Sequence, residues 1–257
     1  MGKIMTVDNR LEREKEFHDD RFTEETRIKS QKFYSITKDS KKLYRQLIFD
    51  NLKGQTILEI GCATGEVSKE ILKFDVKKFV GIDISDVAIQ KSLELNKSRL
   101  DNAQFLVMDG ADLEFDDSTF DKIVGQGVLH HLDFEKAIIN LARVLKLDGK
   151  AIFFEPLGHN PLINLYRKMT PNLRSYDEKP LTTKELNFIS KNFSEVNIHY
   201  YYIFTLVAVL FRNTKIFNIL KAITMFIDSM LFRIKFLRKY AWIIVLELSK
   251  PNRNKLL

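Results

Sequence analysis

Three carboxylates and one loop of small residues carry the chemistry that is easiest to read. Glu59 stands two residues before Gly61-Cys62-Ala63-Thr64-Gly65, and glycines in such a loop let backbone approach a ligand closely. A carboxylate at this point is poorly suited to a pyrophosphate and suits a ligand that carries an ammonium group. A dinucleotide-binding loop would need a small residue where Glu66 stands, and no Gly-Lys-Ser/Thr ending marks an ATP-type phosphate loop. Asp83 lies at the distance downstream expected of a carboxylate that accepts hydrogen bonds from two ribose hydroxyls. Asp109, followed by Gly110, offers a third carboxylate, placed to accept a bond from an adenine amino group. Cys62 is the single cysteine, so there is no internal disulfide and no Cys/His spacing for a metal, and none is expected.

These residues need strands to hold them. From Gly54 onward, short apolar runs end in turn residues and are followed by helical stretches: Thr56–Ile60, Lys78–Asp83, Ala103–Asp109, Phe120–Gly125 and Lys150–Glu155. Continuous apolar strands alternating with helices imply an α/β fold, a parallel sheet covered on both faces. Ligands in such sheets bind at the carboxyl ends of the strands, where Glu59, Asp83 and Asp109 all fall. Two later strand candidates lie at Val196–Tyr202 and Ala241–Leu248. Residues 10–50 lack Pro and Gly and repeat apolar side chains at helical spacing. Their closely alternating acids and bases read as a solvated helix face. The 257 residues, 45% hydrophobic and 29% charged, with 10 Gly and 5 Pro, exclude a disordered or collagen-like chain. The start shows no secretory signal, although Gly2 and Thr6 fit the short myristoylation pattern; a cytoplasmic protein is the expectation.

Ribose, adenine and an ammonium-bearing tail together describe S-adenosylmethionine. At this point the chain resembles the class I S-adenosylmethionine-dependent methyltransferases of the small-molecule type. The resemblance runs from about Gly54 to Pro156 through five motifs in order: Ile57-Leu-Glu-Ile-Gly-Cys-Ala-Thr-Gly65, Val80-Gly-Ile-Asp-Ile-Ser85, Phe105-Leu-Val-Met-Asp-Gly110, Phe120-Asp-Lys-Ile-Val-Gly125 and Leu145-Lys-Leu-Asp-Gly-Lys150. Two departures stand out, Ala63 where Gly is commoner and Leu147-Asp-Gly149 where Pro-Gly-Gly is frequent. The resemblance implies a Rossmann-like sheet of about seven strands, the last antiparallel and inserted beside the fifth. Together with the helical region at 10–50 and the apolar, basic run at 201–240, this divides the chain into an N-terminal helical cap over residues 1–50 and a domain at 51–257 with a helical insertion at about 205–238. By the same resemblance Glu59, Gly61 and Gly65 hold the methionine part, Asp83 the ribose and Asp109 the adenine. Ala63, Ile84, Gly110 and Gln126 complete the cofactor set at the same strand ends. The product is S-adenosylhomocysteine.

Methyl transfer from a sulfonium is an in-line displacement, and an oxygen or nitrogen acceptor needs a base where its proton must leave. Candidates follow the fourth and fifth strands: His130 and His131 in Val128-Leu-His-His-Leu-Asp133, and Glu155. Histidine titrates near neutral pH, yet a His-His-Leu turn is frequent in this family and also serves to cap the next helix. Glu155 reads equally as an active carboxylate and as a structural one bonded to loop amides. Tyr34 and Tyr44 are lid candidates, with ordinary packing as their alternative. The Asn-Pro-Pro-Tyr motif of amino-methylating enzymes that act on adenine or glutamine is missing after the fourth strand.

The net charge of +7 concentrates near the C-terminus, where the basic residues from Arg212 to Lys255 face only Asp228 and Glu247. Phe217, Leu220, Ile223, Ile227, Met230 and Ile234 form a wide apolar stripe, interrupted too often by charge for a spanning helix. Three readings of the stripe are open: burial against the sheet or in a homodimer, a cap over a hydrophobic acceptor pocket, and peripheral contact with a membrane through basic flanks. Nucleic acid ranks last, because the bases alternate with Leu, Ile and Phe. The expected activity is methylation of an oxygen or nitrogen on a small or lipid-like acceptor. An RNA methyltransferase and a cofactor-binding protein without activity are the alternatives.

Overall fold

The computed structural model describes residues 7–23, 35–171 and 175–253. Gly2, Thr6 and Tyr34 lie outside the described residues. Two helices come first, α1 (Val7–Thr23) and α2 (Lys38–Phe49). The central repeat follows as β1 (Thr56–Ile60), α3 (Glu66–Ile71), β2 (Lys78–Asp83), α4 (Asp86–Leu95), β3 (Ala103–Val107), β4 (Phe120–Gln126), α5 (Phe134–Val144) and β5 (Leu145–Pro156). The chain continues through α6 (Pro161–Met169), α7 (Thr183–Asn192), β6 (Phe193–Tyr201), α8 (Thr205–Ala208), α9 (Phe217–Leu231) and β7 (Ile243–Pro251).

The seven strands form one sheet in the order β3-β2-β1-β4-β5-β7-β6. β7 runs antiparallel to both β5 and β6, while the other pairings are parallel. This is the expected Rossmann-like sheet with the last strand inserted beside the fifth. β1 is buried along its whole length because successive side chains enter opposite cores. Ile57 packs on one face with Phe79, Val124, Tyr44 and Ile48, and Leu58 on the other with Val80, Ile123, Ile138 and Leu141. Helix starts are set by local chemistry. The Ser85 hydroxyl accepts the Ala88 N–H at 3.0 Å, and Thr182 and Glu185 form a reciprocal capping box on α7.

Most of the stripe between β6 and β7 is not buried against the sheet. Leu206 and Val209 enter the core beside Tyr202 and Trp242, but α9 is turned inside out. Its buried residues are Thr224 and Asp228, while Ile219, Ile223 and Phe226 are 64%, 53% and 67% exposed. The reason is Asp228, whose carboxylate accepts the N–H groups of Ile203, Phe204 and Thr205 at 3.0, 2.7 and 3.2 Å and the Thr205 hydroxyl at 2.6 Å. Lys221, one face along, pairs with Asp39 of α2 at 2.6 Å. Polar anchors hold the inner face, so Ile219, Ile223, Phe226 and Met230 stay outside, while Phe217 at the start of the helix packs against the core.

Because Asp228 is 3% exposed and satisfies several donors at once, removing it strands buried N–H groups. Asp228→Ala should cost about 2–4 kcal/mol in chemical denaturation, whereas Ile223→Ala, on the exposed side of the same helix, should cost under about 0.5 kcal/mol. Equal losses would show that the outer face is packed.

Candidate active site

The strand ends meet along one edge. In register, Ile60 of β1 lies beside Ile82 of β2 and Gly125 of β4, and Ile82 lies beside Leu106 of β3. The loop after β1 closes onto β2 as the N–H groups of Gly61 and Cys62 donate to the Ile82 carbonyl at 2.8 and 3.0 Å. Gly65, at φ 80°, ends the loop and caps α3; a side chain there would be strained by that φ and would crowd Asn96 Nδ2 at 2.6 Å and the Ser92 Cα at 3.1 Å. Ala63 is also left-handed, at φ 50°. That conformation is fixed by two bonds: its N–H donates to Asp83 Oδ2 at 2.9 Å, and its carbonyl accepts the Ser92 hydroxyl at 2.7 Å.

Two carboxylates face this loop. Glu59 is 6% exposed, and its Oε2 accepts the Ser68 hydroxyl at 2.6 Å. Burial, with the nearby Asp83 charge adding to it against the Ser68 bond, pushes its carboxyl from an ordinary 4.5 to about 8. Asp83 is raised as well, first by burial, against hydrogen bonds from Ser85 and Ala63. Its two oxygens each accept one backbone N–H, from Ala63 and from Ser85. A carboxylate has about four lone-pair sites, so acceptor capacity remains. Asp109 is half-buried and accepts the Ala111 N–H at 2.9 Å. Gly110 sits where a Cβ would meet Ile60 at 2.7 Å. Ile84 is half-buried and Gln126 exposed, at the ends of β2 and β4.

Two imidazole–carboxylate pairs stand beside this edge. Glu155, with no exposure, accepts the Val128 and Leu129 N–H groups on Oε1 at 2.9 and 3.0 Å and holds His130 Nδ1 on Oε2 at 2.6 Å. His131 Nδ1 lies 3.1 Å from Glu14 Oε2, on α1. Burial opposes ionisation of Glu14, but bonds from His131, His18 and Ser175 outweigh it and hold the carboxyl far below the usual range. Burial lowers His131, partly countered by Glu14. His18 Nε2 approaches the same Glu14 oxygen at 3.6 Å, and the ligand-type atoms of Glu14, His18 and His131 lie within 4.8 Å of one another.

The alternating charges of α1 predict a solvated helix face. Glu14 is instead 3% exposed. Arg10 donates to the His131 carbonyl at 2.6 Å, Arg13 is bonded to Asp177, Lys15 to Asp86, and Asp19 accepts the Ser85 hydroxyl. α1 therefore crosses from the end of β2 to the turn after β4 and roofs the edge. The pattern gives no burial signal because Glu14, the most buried of these residues, is charged and pairs with His131 and Ser175 far along the chain. Tyr44 is buried edge-to-face on Phe154 at 5.9 Å and packs in the core rather than over the cleft.

Comparison with known proteins agrees with this geometry. Residues 58–153 match the sequence profile of the methyltransferase-domain family. The mouse eEF1A lysine and N-terminal methyltransferase is 31% identical over 106 residues, which are 37% of this chain and 15% of that protein. The chain thus spans a small part of the curated relatives of this type that it matches. Among solved structures, a Haemonchus contortus phosphoethanolamine N-methyltransferase with phosphomonomethylethanolamine and S-adenosylhomocysteine superposes with TM-score 0.63 at 17% identity, covering 93% of this chain and 60% of that one. Geranyl diphosphate C-methyltransferase of Streptomyces coelicolor superposes with TM-score 0.61 at 11% identity, covering 96% and 100%. With the sheet order, the glycine loop and the matched segment in agreement, residues 58–153 form a methyltransferase domain of the class I S-adenosylmethionine-dependent family.

Proposed function

We propose that the chain transfers a methyl group from S-adenosylmethionine to an oxygen or nitrogen of a small or lipid-like acceptor. The observation that carries this reading is Glu59. It is a buried carboxylate beside a glycine loop, held partly protonated because the described residues supply no cation to it. An ammonium group on a ligand supplies the missing charge. Asp83 keeps lone pairs for two hydroxyls, and Asp109 stands at the end of β3 for an exocyclic amine. The bound cofactor supplies a methyl group activated by its sulfonium. Everything else asked of the protein is alignment, exclusion of water and care of one proton.

α1 supplies the exclusion, since its bonds to Ser85, His131 and the loop at Asp177 close the cleft from above. A cleft covered by α1 favours a small molecule or a single chain end over a duplex. The acceptor's proton goes to a histidine. With Nδ1 donating to a carboxylate, each imidazole keeps its lone pair on Nε2. His130 serves as the acceptor of this proton, and Glu155, which has no exposure and holds the imidazole through Nδ1, is its positioning residue. The His131–Glu14 pair anchors the roof beside it.

Two measurements test this. Below pH 8 Glu59 holds a proton that an ammonium ligand must displace, so S-adenosylhomocysteine affinity should rise with pH from 6 to 8, by up to about tenfold per unit. Glu59→Gln should weaken binding and flatten that rise in calorimetry. The sign for stability is the reverse: the unfolded chain loses this proton near 4.5 and the folded chain near 8, so Glu59 destabilises the ligand-free fold increasingly across that window. Glu59→Gln should accordingly melt higher than the parent at pH 8. Unchanged affinity in this variant would remove the cofactor reading.

The second measurement concerns the proton. His130→Asn should lower kcat by about 10²-fold or more with cofactor affinity unchanged. Glu155→Gln should move the acid limb of the kcat–pH profile, an effect that loss of packing alone would not produce. Wild-type kcat in His130→Asn assigns the proton elsewhere.

A further inference from the structure

An amphipathic helix on a globular protein normally buries its apolar side; α9 does the opposite. Asp228 and Thr224 point inward, and Ile219, Ile223, Phe226 and Met230 point out along a helix of 15 residues. A contiguous exposed apolar face of this kind marks an interaction surface. Its charge says with what. From Thr205 to Leu246 the one acidic residue is Asp228, which is buried, whereas Lys215, Arg233 and Lys235 at the two ends of α9 are exposed. The Lys221–Asp39 pair joins this face to the first turn of α2, where Lys38, Lys41, Lys42 and Arg45 line an open groove of about 700 Å³.

We propose that the outer face of α9 docks onto an anionic lipid surface, with the apolar residues at the level of the acyl boundary and the basic fringe on the headgroups. No helix among the described residues is long and apolar enough to cross a membrane, so α9 lies in the plane of the interface, as an apolar face with basic flanks does. A second copy of the chain fits the face less well. A two-fold contact would set Lys215, Arg233 and Lys235 of each fringe against their counterparts, while the acids beside the face, Asp39 and Glu70, are already paired with Lys221 and Arg45.

The experiment is co-sedimentation of the full chain with vesicles of phosphatidylcholine alone or with about one-third phosphatidylglycerol, at low and high salt. The chain should pellet with the anionic vesicles and stay in solution with the neutral ones, and added salt should weaken the binding. The double substitution Ile223→Glu with Phe226→Glu should raise the lipid needed for half-binding at least tenfold. Lys215→Glu with Arg233→Glu and Lys235→Glu should do the same. Both variants should keep the parent's melting temperature, a readout that does not depend on cofactor or activity. Failure to pellet with anionic vesicles, or equal pelleting with neutral ones, overturns the proposal. So does a dimer in light scattering that Ile223→Glu with Phe226→Glu dissociates, which would assign the face to self-association.

Discussion

A carboxylate without solvent exposure has to find donors or remain neutral, and the site is arranged around the three that Glu155 finds. It ends the buried run of β5 and reaches to the turn after β4, where two backbone N–H groups and an imidazole converge on it. The turn at Leu129–His131 is thereby fixed to the neighbouring strand, and the carbonyls of His130 and His131 are placed to receive Lys179 N–H and Arg10. Each of these bonds draws in a segment distant in sequence: the loop before α7 and the roof helix α1. Loss of Glu155 would leave two buried amides and a histidine without direction, and the roof would lose the surface on which it rests.

Ionic pairing does for α1 what apolar packing does for the rest of the fold. Glu14 sits between His131, Ser175 and His18, and Lys15 and Asp19 reach Asp86 and Ser85. Polar contacts of this type contribute about 0.5–1.5 kcal/mol each and less where water competes. A roof held this way is stable when closed and separable in parts, unlike α2, whose Tyr44 and Ile48 are locked in the core. A cleft that must admit cofactor and acceptor and then exclude water requires such a difference between its wall and its lid.

The sheet was legible because parallel strands buried on both faces write themselves as unbroken apolar runs. The strand ends were legible because each carries a carboxylate or a small residue where Ile57, Phe79 or Phe105 would otherwise continue. What local pattern could not supply was orientation. On α1 the inward residues are charged, and only their partners at Ser85, His131 and Asp177 reveal that they are inside. On α9 the apolar stripe was plain, but periodicity says that a helix has two faces and not which one meets the protein. Glu155 stood open between two roles because its environment is made by Val128, Leu129 and His130, residues that no spacing rule connects to the end of β5.

α9 breaks the rule that apolar residues go inside, and it does so through a bond of the kind that holds Glu155. Asp228 is saturated by the backbone of Ile203 through Thr205 just as Glu155 is by that of Val128 and Leu129. A buried carboxylate accepting several amides is specific in direction, because rotating the helix would strand every one of those donors at about 1–3 kcal/mol each. Burial of one large apolar side chain contributes about 1.5–3 kcal/mol. Four directed bonds therefore outweigh the gain from turning one or two Ile or Phe residues inward, and the helix stays reversed. A reversal maintained at that cost keeps an apolar face in water, which is tolerable on a chain that has somewhere else to put it.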